Sequence, residues 1–307
     1  MKAKRLIPGD TLGLVAPASP SDADTISKMI EGITQLGFKL KVGESVYSQR
    51  GYLSGNDELR ARDINEMFRD KEVSGIFCSR GGYGSLRILD MLDYRLIKNN
   101  PKVFMGFSDI TVILNAIYKK TGLVTFHGPV GGAFARDMNR ATITAMEKAL
   151  ECSDVIGEIM NPPAFPIRVI APGKASGRLV GGNLSMVAAA LGTEYEIDTK
   201  DRILFLEDVG EEPYRVDRML HQLKLAGKLD DAAGIILGDW KKCIPENPEK
   251  SLSLEEVFED VFAALDKPVL AGYQFGHSNT NLTVPVGAKA SIDTSSKAFI
   301  ITESGVE

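Results

Sequence analysis

The stretch Val103–Asp109, VFMGFSD, decides the fold. Its apolar start predicts a buried strand, and the apolar pattern of Ile110–Lys120 predicts a helix that begins directly after Ser108 and Asp109. Strand and helix patterns alternate on both sides of this unit. Strands are predicted at Thr11–Ala16, Lys39–Val46, Gly75–Ser79 and Val124–Phe126, with helices near 22–36, 57–70 and 85–98. Such alternation is typical of an α/β fold whose parallel sheet is covered on both faces.

A proline-rich segment separates this half of the chain from a more mixed second half. Of the 14 prolines, four lie between Ser153 and Pro172, and such a run is typical of a linker or an edge crossing. The predicted division is an N-terminal domain over 1–155, a linker over 156–172 and a C-terminal domain over 173–307. The last of these includes two late strands, predicted at Leu282–Val286 and Ala298–Thr302.

Composition and charge exclude several classes of protein. The 307 residues are 44% apolar and 25% charged, which is typical of a globular protein rather than a disordered or fibrous one. The net charge of −5 gives no electrostatic reason to expect nucleic acid or an anionic membrane as a partner. No apolar run reaches the roughly 18 residues of a spanning helix, and Pro8–Asp10 interrupts a segment that faintly resembles a signal peptide. We expect a soluble cytoplasmic protein.

The sequence predicts neither a metal site nor a cofactor site. The three cysteines, Cys78, Cys152 and Cys243, are widely spaced and odd in number, which argues against a disulfide framework and a cysteine-built zinc site. The first strand–helix turn, APASPSD at 16–22, has no glycine to let a dinucleotide approach its backbone. Zinc-hydrolase and P-loop patterns do not occur.

Ser108 is the first candidate for catalysis. A serine between a strand and a helix lies at the carboxyl end of a parallel sheet, where ligands of open α/β sheets bind. The helix N-terminus adds N–H groups and a positive dipole end, both suited to an anionic intermediate. The segment resembles a nucleophile elbow, although Ile110 stands where G-x-S-x-G has its second glycine. Taken alone, the segment favours the alternative that Ser108 or Asp109 only caps the helix.

Any imidazole chemistry must use one of three histidines, His127, His221 or His277. His277 lies in the loop FGHSNTN at 275–281, where it can accept a proton or simply bond within a turn. His127 follows a predicted strand and can line the same sheet edge or be structural. His221 shares the outer face of its helix with Arg218 and Gln222, and is predicted to be solvated.

Two further segments carry candidate site residues. Glu207 ends the apolar run ILFLE at 203–207, and its carboxylate needs a partner because burying it alone is costly. A histidine and the following arginines, Arg215 and Arg218, are the alternatives, and both stay open. Asp208 is predicted to be a loop charge. The loop Ser79–Gly84, SRGGYG, has consecutive glycines whose N–H groups can bind an oxyanion or a carboxylate.

Together these segments resemble the LD-carboxypeptidase family, which comprises murein tetrapeptide carboxypeptidases and microcin C immunity peptidases. The resemblance runs in order over nearly the whole chain. Its segments are VAPAS at 15–19, GYLSGNDELRARDIN at 51–65, SRGGYGSLR at 79–87, MGFSD at 105–109, FHGP at 126–129, GRLVGGNLS at 177–185, LFLEDVGEEPYRVDRML at 204–220 and GHSNTNLTVPVG at 276–287. The fold it implies is a flavodoxin-like N-terminal domain and a smaller mixed β/α C-terminal domain, with the active site in the cleft between them.

The resemblance also implies roles for particular residues. Ser108 would be the nucleophile, His277 its general base and Glu207 the partner of the imidazole. The N–H groups of Asp109 and Gly82 would form the oxyanion hole.

Two more positions bear on the substrate. Arg80 is a candidate for binding the free carboxylate of the substrate. Ser278 departs from the family pattern, since many relatives have glycine after the histidine, and it would alter the flexibility of the loop or add a hydroxyl near the site.

The activity implied is that of a serine-type LD-carboxypeptidase that releases terminal D-alanine from cytoplasmic murein tetrapeptides in peptidoglycan recycling. The substrate would be a small peptide, with no cofactor, and the protein would be a homodimer. The alternative within the family is cleavage of peptidyl or acyl-sulfamoyl nucleotides. Such relatives tend to offer an extra aromatic ring on an inserted loop, whereas Trp240 is the only tryptophan here. A non-catalytic ligand-binding module is the alternative from another class.

Overall fold

The computed structural model describes all residues from Met1 to Glu307 and contains two compact units. The first comprises Met1–Ser153, Thr283–Gly287 and Ser304–Glu307, and the second comprises Asp154–Leu282 and Ala288–Glu303. This division differs from the predicted one, because two short C-terminal segments belong with the N-terminal unit.

The first unit is built on a sheet that is parallel apart from one edge strand. Its strands are β1 (Thr11–Val15), β2 (Lys39–Val42), β3 (Val73–Cys78), β4 (Val103–Gly106), β5 (Thr125–His127) and β12 (Val284–Val286). They lie in the order β2-β1-β3-β4-β5-β12, and only β12 is antiparallel to its neighbour. The order of the parallel strands is that of flavodoxin-like folds, so the predicted fold class is confirmed. The carboxyl ends of β1, β3 and β4 lead into the first strand–helix turn, the glycine loop and Ser108.

Helices connect these strands. They are α1 (Ala23–Gln35), α2 (Asp57–Arg69), α3 (Tyr94–Asn99), α4 (Thr111–Thr121), α5 (Gly131–Phe134) and α6 (Arg140–Leu150). Asp22 caps α1 by accepting a hydrogen bond from the Thr25 N–H. The helix predicted over 85–98 is a 3₁₀ helix, Ser85–Met91, followed by α3, because Asp93 caps a new helix there.

The second unit is built on a larger mixed sheet. Its strands are β6 (Gly157–Glu158), β7 (Arg168–Ala171), β8 (Lys174–Asn183), β9 (Arg202–Val209), β10 (Gly234–Lys241), β11 (Val269–Ala271), β13 (Lys289–Asp293) and β14 (Ala298–Ile301). They lie in the order β6-β14-β13-β8-β9-β10-β11-β7. Its helices are α7 (Leu184–Ala189), α8 (Pro213–Leu225), α9 (Lys228–Asp231) and α10 (Leu254–Phe262). The central strands β8, β9, β10 and β11 are parallel, and the outer strands are antiparallel.

Two segments differ from their sequence-based assignment. The stretch 156–172, predicted to be a linker, contributes β6 and β7 to the two edges of the second sheet. Edge strands tolerate nearby prolines because one side of an edge strand makes no hydrogen bonds to a neighbouring strand. The late strand predicted at Leu282–Val286 is Val284–Val286, and it pairs with β5 of the first sheet. Hydrophobic patterning predicts that a segment is buried, but it does not predict which sheet the segment joins.

Candidate active site

Ser108 has a strained backbone at the turn between β4 and α4. Its φ of 63° lies in the left-handed region, which is uncommon for residues other than glycine and is enriched at functional sites. The strand ends at Gly106, where an added Cβ would lie 2.8 Å from Cγ2 of Ile110. The turn is therefore tight. Ile110, which stands in place of the second glycine of G-x-S-x-G, packs against the first glycine, Gly106. This is the backbone conformation that a nucleophile elbow requires.

The glycine loop after β3 lies against this serine. A Cβ on Gly81 would be 2.8 Å from Cβ and 3.0 Å from Oγ of Ser108, and 3.3 Å from the backbone nitrogen of Asp109. Only a glycine fits at such a distance without displacing its neighbour. The loop and the serine turn therefore form one surface within the first unit.

Two backbone N–H groups of this surface are available to a ligand. Asp109 lies in the first helical turn after Ser108, where N–H groups have no intrahelical acceptor. The Gly81 carbonyl accepts a hydrogen bond from the Ser19 N–H (3.3 Å). Since the peptide is trans, the Gly82 N–H points away from Ser19, and it has no acceptor within the first unit.

The Asp109 side chain ties the serine turn to the glycine loop. Its Oδ2 accepts a hydrogen bond from the Ser85 N–H at 2.8 Å. Burial raises the pKa of Asp109, and the hydrogen bonds from Ser85 act in the opposite direction. The carboxyl group is thus a structural anchor between the serine turn and the glycine loop.

A buried arginine, Arg60, anchors the same loops from helix α2. The side chain is 0% exposed, and its guanidinium donates to the carbonyls of Pro17 and Gly84 and pairs with Asp57. Arg87 donates to the same aspartate at 2.7 Å. One guanidinium therefore joins the loop after β1 to the loop after β3, which fixes the backbone that lies beside Ser108.

The second unit brings together Glu207 and His277, which are 70 residues apart in sequence. His277 Nδ1 lies 2.7 Å from Glu207 Oε2, and the glutamate is 0% exposed at the carboxyl end of the central strand β9. Arg215 instead lies near Glu211 and the Tyr214 hydroxyl. Of the two alternatives left open by the sequence, the histidine is the partner of the carboxylate.

Burial and pairing shift the pKa values of both groups. Burial raises the pKa of Glu207, and the contact with His277 opposes that rise. For His277, burial lowers the pKa, but the hydrogen bond and the charge of Glu207 outweigh it and the pKa is raised. Because Nδ1 is held by the carboxylate, Nε2 is the nitrogen that can exchange a proton with a substrate or a nucleophile.

The backbone around the histidine is held on both sides. Gly276 has a φ of 134°, and a Cβ there would lie 2.8 Å from Glu207 Oε2. Lys241 Nζ donates to the His277 carbonyl at 2.9 Å, and Asn281 Oδ1 accepts from the Gly276 N–H at 3.1 Å. The imidazole orientation is therefore set by side chains of neighbouring strands as well as by its own loop.

The remaining predicted residues have other surroundings. His221 is half-exposed and pairs with Asp217 at 2.8 Å, so its predicted solvated position is confirmed. His127 is fully buried in β5, beside Gly106 of β4, with its ring edge-on to Phe107. Arg80 is exposed and donates through Nη1 to the Pro20 carbonyl at 3.0 Å.

Two family models match the chain: the LD-carboxypeptidase N-terminal domain over residues 12–128 and the LD-carboxypeptidase C-terminal domain over residues 176–292. The chain belongs to the LD-carboxypeptidase family. A probable murein peptide carboxypeptidase of Bacillus subtilis (strain 168) is 44% identical over 99% of this chain and 95% of its own length. The resemblance drawn from the sequence segments is confirmed.

Solved structures of LD-carboxypeptidase relatives have the same fold. The muramoyltetrapeptide carboxypeptidase of Oxalobacter formigenes is 27% identical, with a TM-score of 0.84 over 96% of this chain and 99% of its own. The microcin C7 self-immunity protein MccF of Escherichia coli is 32% identical over 98% of this chain and 95% of its own length. A structure of MccF in complex with aspartyl sulfamoyl adenosine has a TM-score of 0.90 and covers 100% of both chains.

Two aspartates near Glu207 were given no role in the site on the basis of sequence. Asp208, predicted to be a loop charge, is buried and accepts hydrogen bonds from Asn183 Nδ2 (3.0 Å) and from Ser185. Asp239 follows the apolar run GIILG at the end of β10, which is the same signal that drew attention to Glu207. Applying that signal to every buried strand would have found it.

No group of three or more His, Cys, Asp or Glu side chains is arranged to hold a metal ion. All three cysteines are free thiols, and burial raises the pKa of Cys243 to about 12. No helix of this LD-carboxypeptidase has the length and apolar character needed to cross a membrane.

Proposed function

We propose that the protein is a serine carboxypeptidase that hydrolyses the L,D peptide bond of murein tetrapeptides and releases terminal D-alanine. The observation that carries the proposal is the 2.7 Å contact between His277 Nδ1 and the fully buried Glu207 carboxylate. A buried carboxylate that holds an imidazole in one tautomer is the arrangement that general-base catalysis on a hydroxyl nucleophile needs. The 44% identity to a probable murein peptide carboxypeptidase supports the same substrate.

In the proposed mechanism, Ser108 Oγ attacks the carbonyl of the residue that precedes D-alanine. His277 Nε2 takes the serine proton and then delivers it to the leaving amine, so that D-alanine departs and an acyl-enzyme remains. A water molecule, deprotonated by the same nitrogen, hydrolyses the ester. Glu207 stabilises the imidazolium in both steps. The strained φ of Ser108 supports a catalytic role over a simple helix cap.

The oxyanion formed during attack would be bound by the N–H groups of Asp109 and Gly82. Each such donor contributes about 3 kcal/mol of transition-state stabilisation in related chemistry. Arg80, exposed in the same loop, is proposed to pair with the terminal carboxylate of the substrate. Its guanidinium uses only Nη1 for the Pro20 carbonyl, and the other N–H groups suit a carboxylate.

We also propose that the enzyme acts in the cytoplasm as a homodimer. Three free thiols are typical of a reducing compartment, and the dimer follows the family resemblance. Light scattering on the purified protein tests the assembly.

Cleavage of acyl-sulfamoyl nucleotides is the second candidate, favoured by the match to MccF bound to aspartyl sulfamoyl adenosine. A nucleobase is held best by an aromatic ring that is free to stack. Here the only tryptophan, Trp240, packs edge-on against Phe258 at a centroid distance of 5.0 Å. We therefore place the murein peptide first.

One experiment compares the two candidates. D-Alanine release from a murein tetrapeptide and hydrolysis of an aspartyl sulfamoyl nucleoside are measured side by side, with wild type and Ser108→Ala. We expect release of D-alanine by the wild type, loss of it in the variant, and labelling of Ser108 by a fluorophosphonate. Faster turnover of the nucleoside would reverse the order. A non-catalytic binding module would show neither reaction and no labelling.

A further inference from the structure

Asp239 occupies a β-bulge that lies directly opposite Glu207. Leu237 of β10 pairs with Leu206 of β9, and Trp240 pairs with Asp208. Gly238 and Asp239 therefore share the single position opposite Glu207. Bulges of this kind turn a side chain out of the regular ladder, and they are over-represented next to active sites.

The bulge also contacts the loop that carries the catalytic imidazole. The Asp239 N–H donates to the Phe275 carbonyl at 3.0 Å. A Cβ on Gly276 would lie 3.3 Å from Cβ of Asp239 and 2.8 Å from Glu207 Oε2. Asp239 and Glu207 thus flank the residue immediately before His277. Their charges both act to raise the pKa of His277.

The Asp239 carboxylate has no partner in the protein. Its Oδ2 is buried and accepts no hydrogen bond, and no cationic side chain pairs with it. Of the two neighbouring acids, Asp208 accepts hydrogen bonds from Asn183 and Ser185, and Glu207 contacts His277 through Oε2, while its Oε1 is buried without a hydrogen-bond partner. The nearest lysine in sequence, Lys241, gives its ammonium to the His277 carbonyl instead. Asp239 is only part-buried, so its carboxylate is open to a cation or a hydrogen-bond donor from outside the chain, which would satisfy the buried oxygen.

We propose that Asp239 binds the cationic side chain of the substrate residue whose carbonyl is attacked, the amino acid that precedes D-alanine. This inference rests on the proposed function. The carbonyl of that residue must lie beside His277 during catalysis. The side chain of the same substrate residue therefore begins close to the imidazole. A four-carbon stem such as that of lysine places an ammonium roughly 6 Å from its Cα, which suits a carboxylate on the adjoining strand. Asp239 would thus select a peptide whose diamino acid at this position has a free ammonium group.

The test uses two tetrapeptides that differ only in the third residue, lysine or Nε-acetyl-lysine. We expect Asp239→Asn to lower kcat/KM for the lysine peptide by roughly tenfold or more, mainly through KM, and to leave the acetylated peptide within about twofold of wild type. Asp239→Lys should favour a peptide with glutamate at that position. Asp217→Asn, which removes the charge of a half-exposed aspartate in helix α8 of the same unit, is the matched control. It should leave kcat/KM unchanged for both peptides.

Equal losses on both peptides, with a shifted pH profile, would show that Asp239 acts only on His277 and would overturn the proposal. An unchanged preference for lysine in Asp239→Asn would overturn it as well. If the wild type cleaves neither peptide while it remains folded by circular dichroism, the proposed function itself fails, and this inference fails with it. Cleavage of both peptides by the wild type at equal rates overturns the inference alone.

Discussion

Gly81 and Ser108 approach so closely that a methyl group on Gly81 would lie 2.8 Å from the serine Cβ and 3.0 Å from its Oγ. Ser108 can therefore occupy its position only because residue 81 has no side chain.

Replacing that glycine should damage catalysis more than folding. We expect Gly81→Ala to lower kcat by about tenfold or more, because a displacement of roughly 1 Å at a nucleophile costs up to a hundredfold. D-Alanine release and thermal unfolding measure the two effects. Gly132→Ala is the control, since its added Cβ would have only ordinary contacts, at 3.7 Å or more. An unchanged kcat in Gly81→Ala would mean that the glycine loop accommodates the methyl group without displacing Ser108.

The contact between Glu207 and His277 should be visible in the pH dependence of kcat/KM. A raised pKa keeps His277 protonated, and unable to accept a proton, up to a higher pH. The acidic limb of the profile should therefore have its midpoint above the ordinary value of 6.5. In Glu207→Gln, the largest remaining influence is burial, which lowers that pKa against the smaller opposing charges of Asp208 and Asp239, so the midpoint should fall below that of the wild type, while kcat drops by roughly a hundredfold or more.

Glu211→Gln is the matched control for that measurement. This glutamate follows the same strand but lies near Arg215 at 3.8 Å, so its loss should leave the midpoint unchanged. An identical acidic limb in wild type and Glu207→Gln would contradict the assigned role of the pair.

Replacement of His221 and replacement of His277 should have very different effects on catalysis, because the two side chains have very different surroundings. His221→Ala removes a half-exposed ring paired with Asp217 and should leave kcat/KM within about twofold, because such exposed pairs contribute little. His277→Ala should reduce D-alanine release by about a thousandfold or more. A hundredfold loss in His221→Ala would mean that the wrong imidazole had been assigned.

Arg60 should matter for stability and for the loops that it joins. Arg60→Met leaves the Pro17 and Gly84 carbonyls without their donor, and we expect the free energy of unfolding to fall by about 3 kcal/mol. Urea denaturation measures this change. Arg62→Met on the same helix removes a half-exposed pair with Glu44 and should cost under about 1 kcal/mol. Equal costs for the two variants would show that burial of Arg60 contributes nothing.

Much of the fold could be predicted from the sequence because it is encoded locally. The apolar runs of β1, β3 and β4, and the helix patterns between them, report burial along single elements. The position of Ser108 at a strand–helix turn and the exposure of His221 follow from the same short-range signals. The division into units could be predicted only in part, because the pairing of Val284–Val286 with β5 depends on chain segments about 160 residues apart in sequence.

What the sequence by itself determined was therefore the class of fold, the family and a short set of candidate side chains. Only the tertiary structure decided that Glu207 pairs with His277 rather than with the arginines of the next helix, that Gly81 rests on Ser108, and that Asp239 lies opposite Glu207. The physical reason is the same in each case. Such contacts depend on strand order, register and a single bulge, and these are set by the packing of the whole sheet rather than by the residues adjacent in sequence.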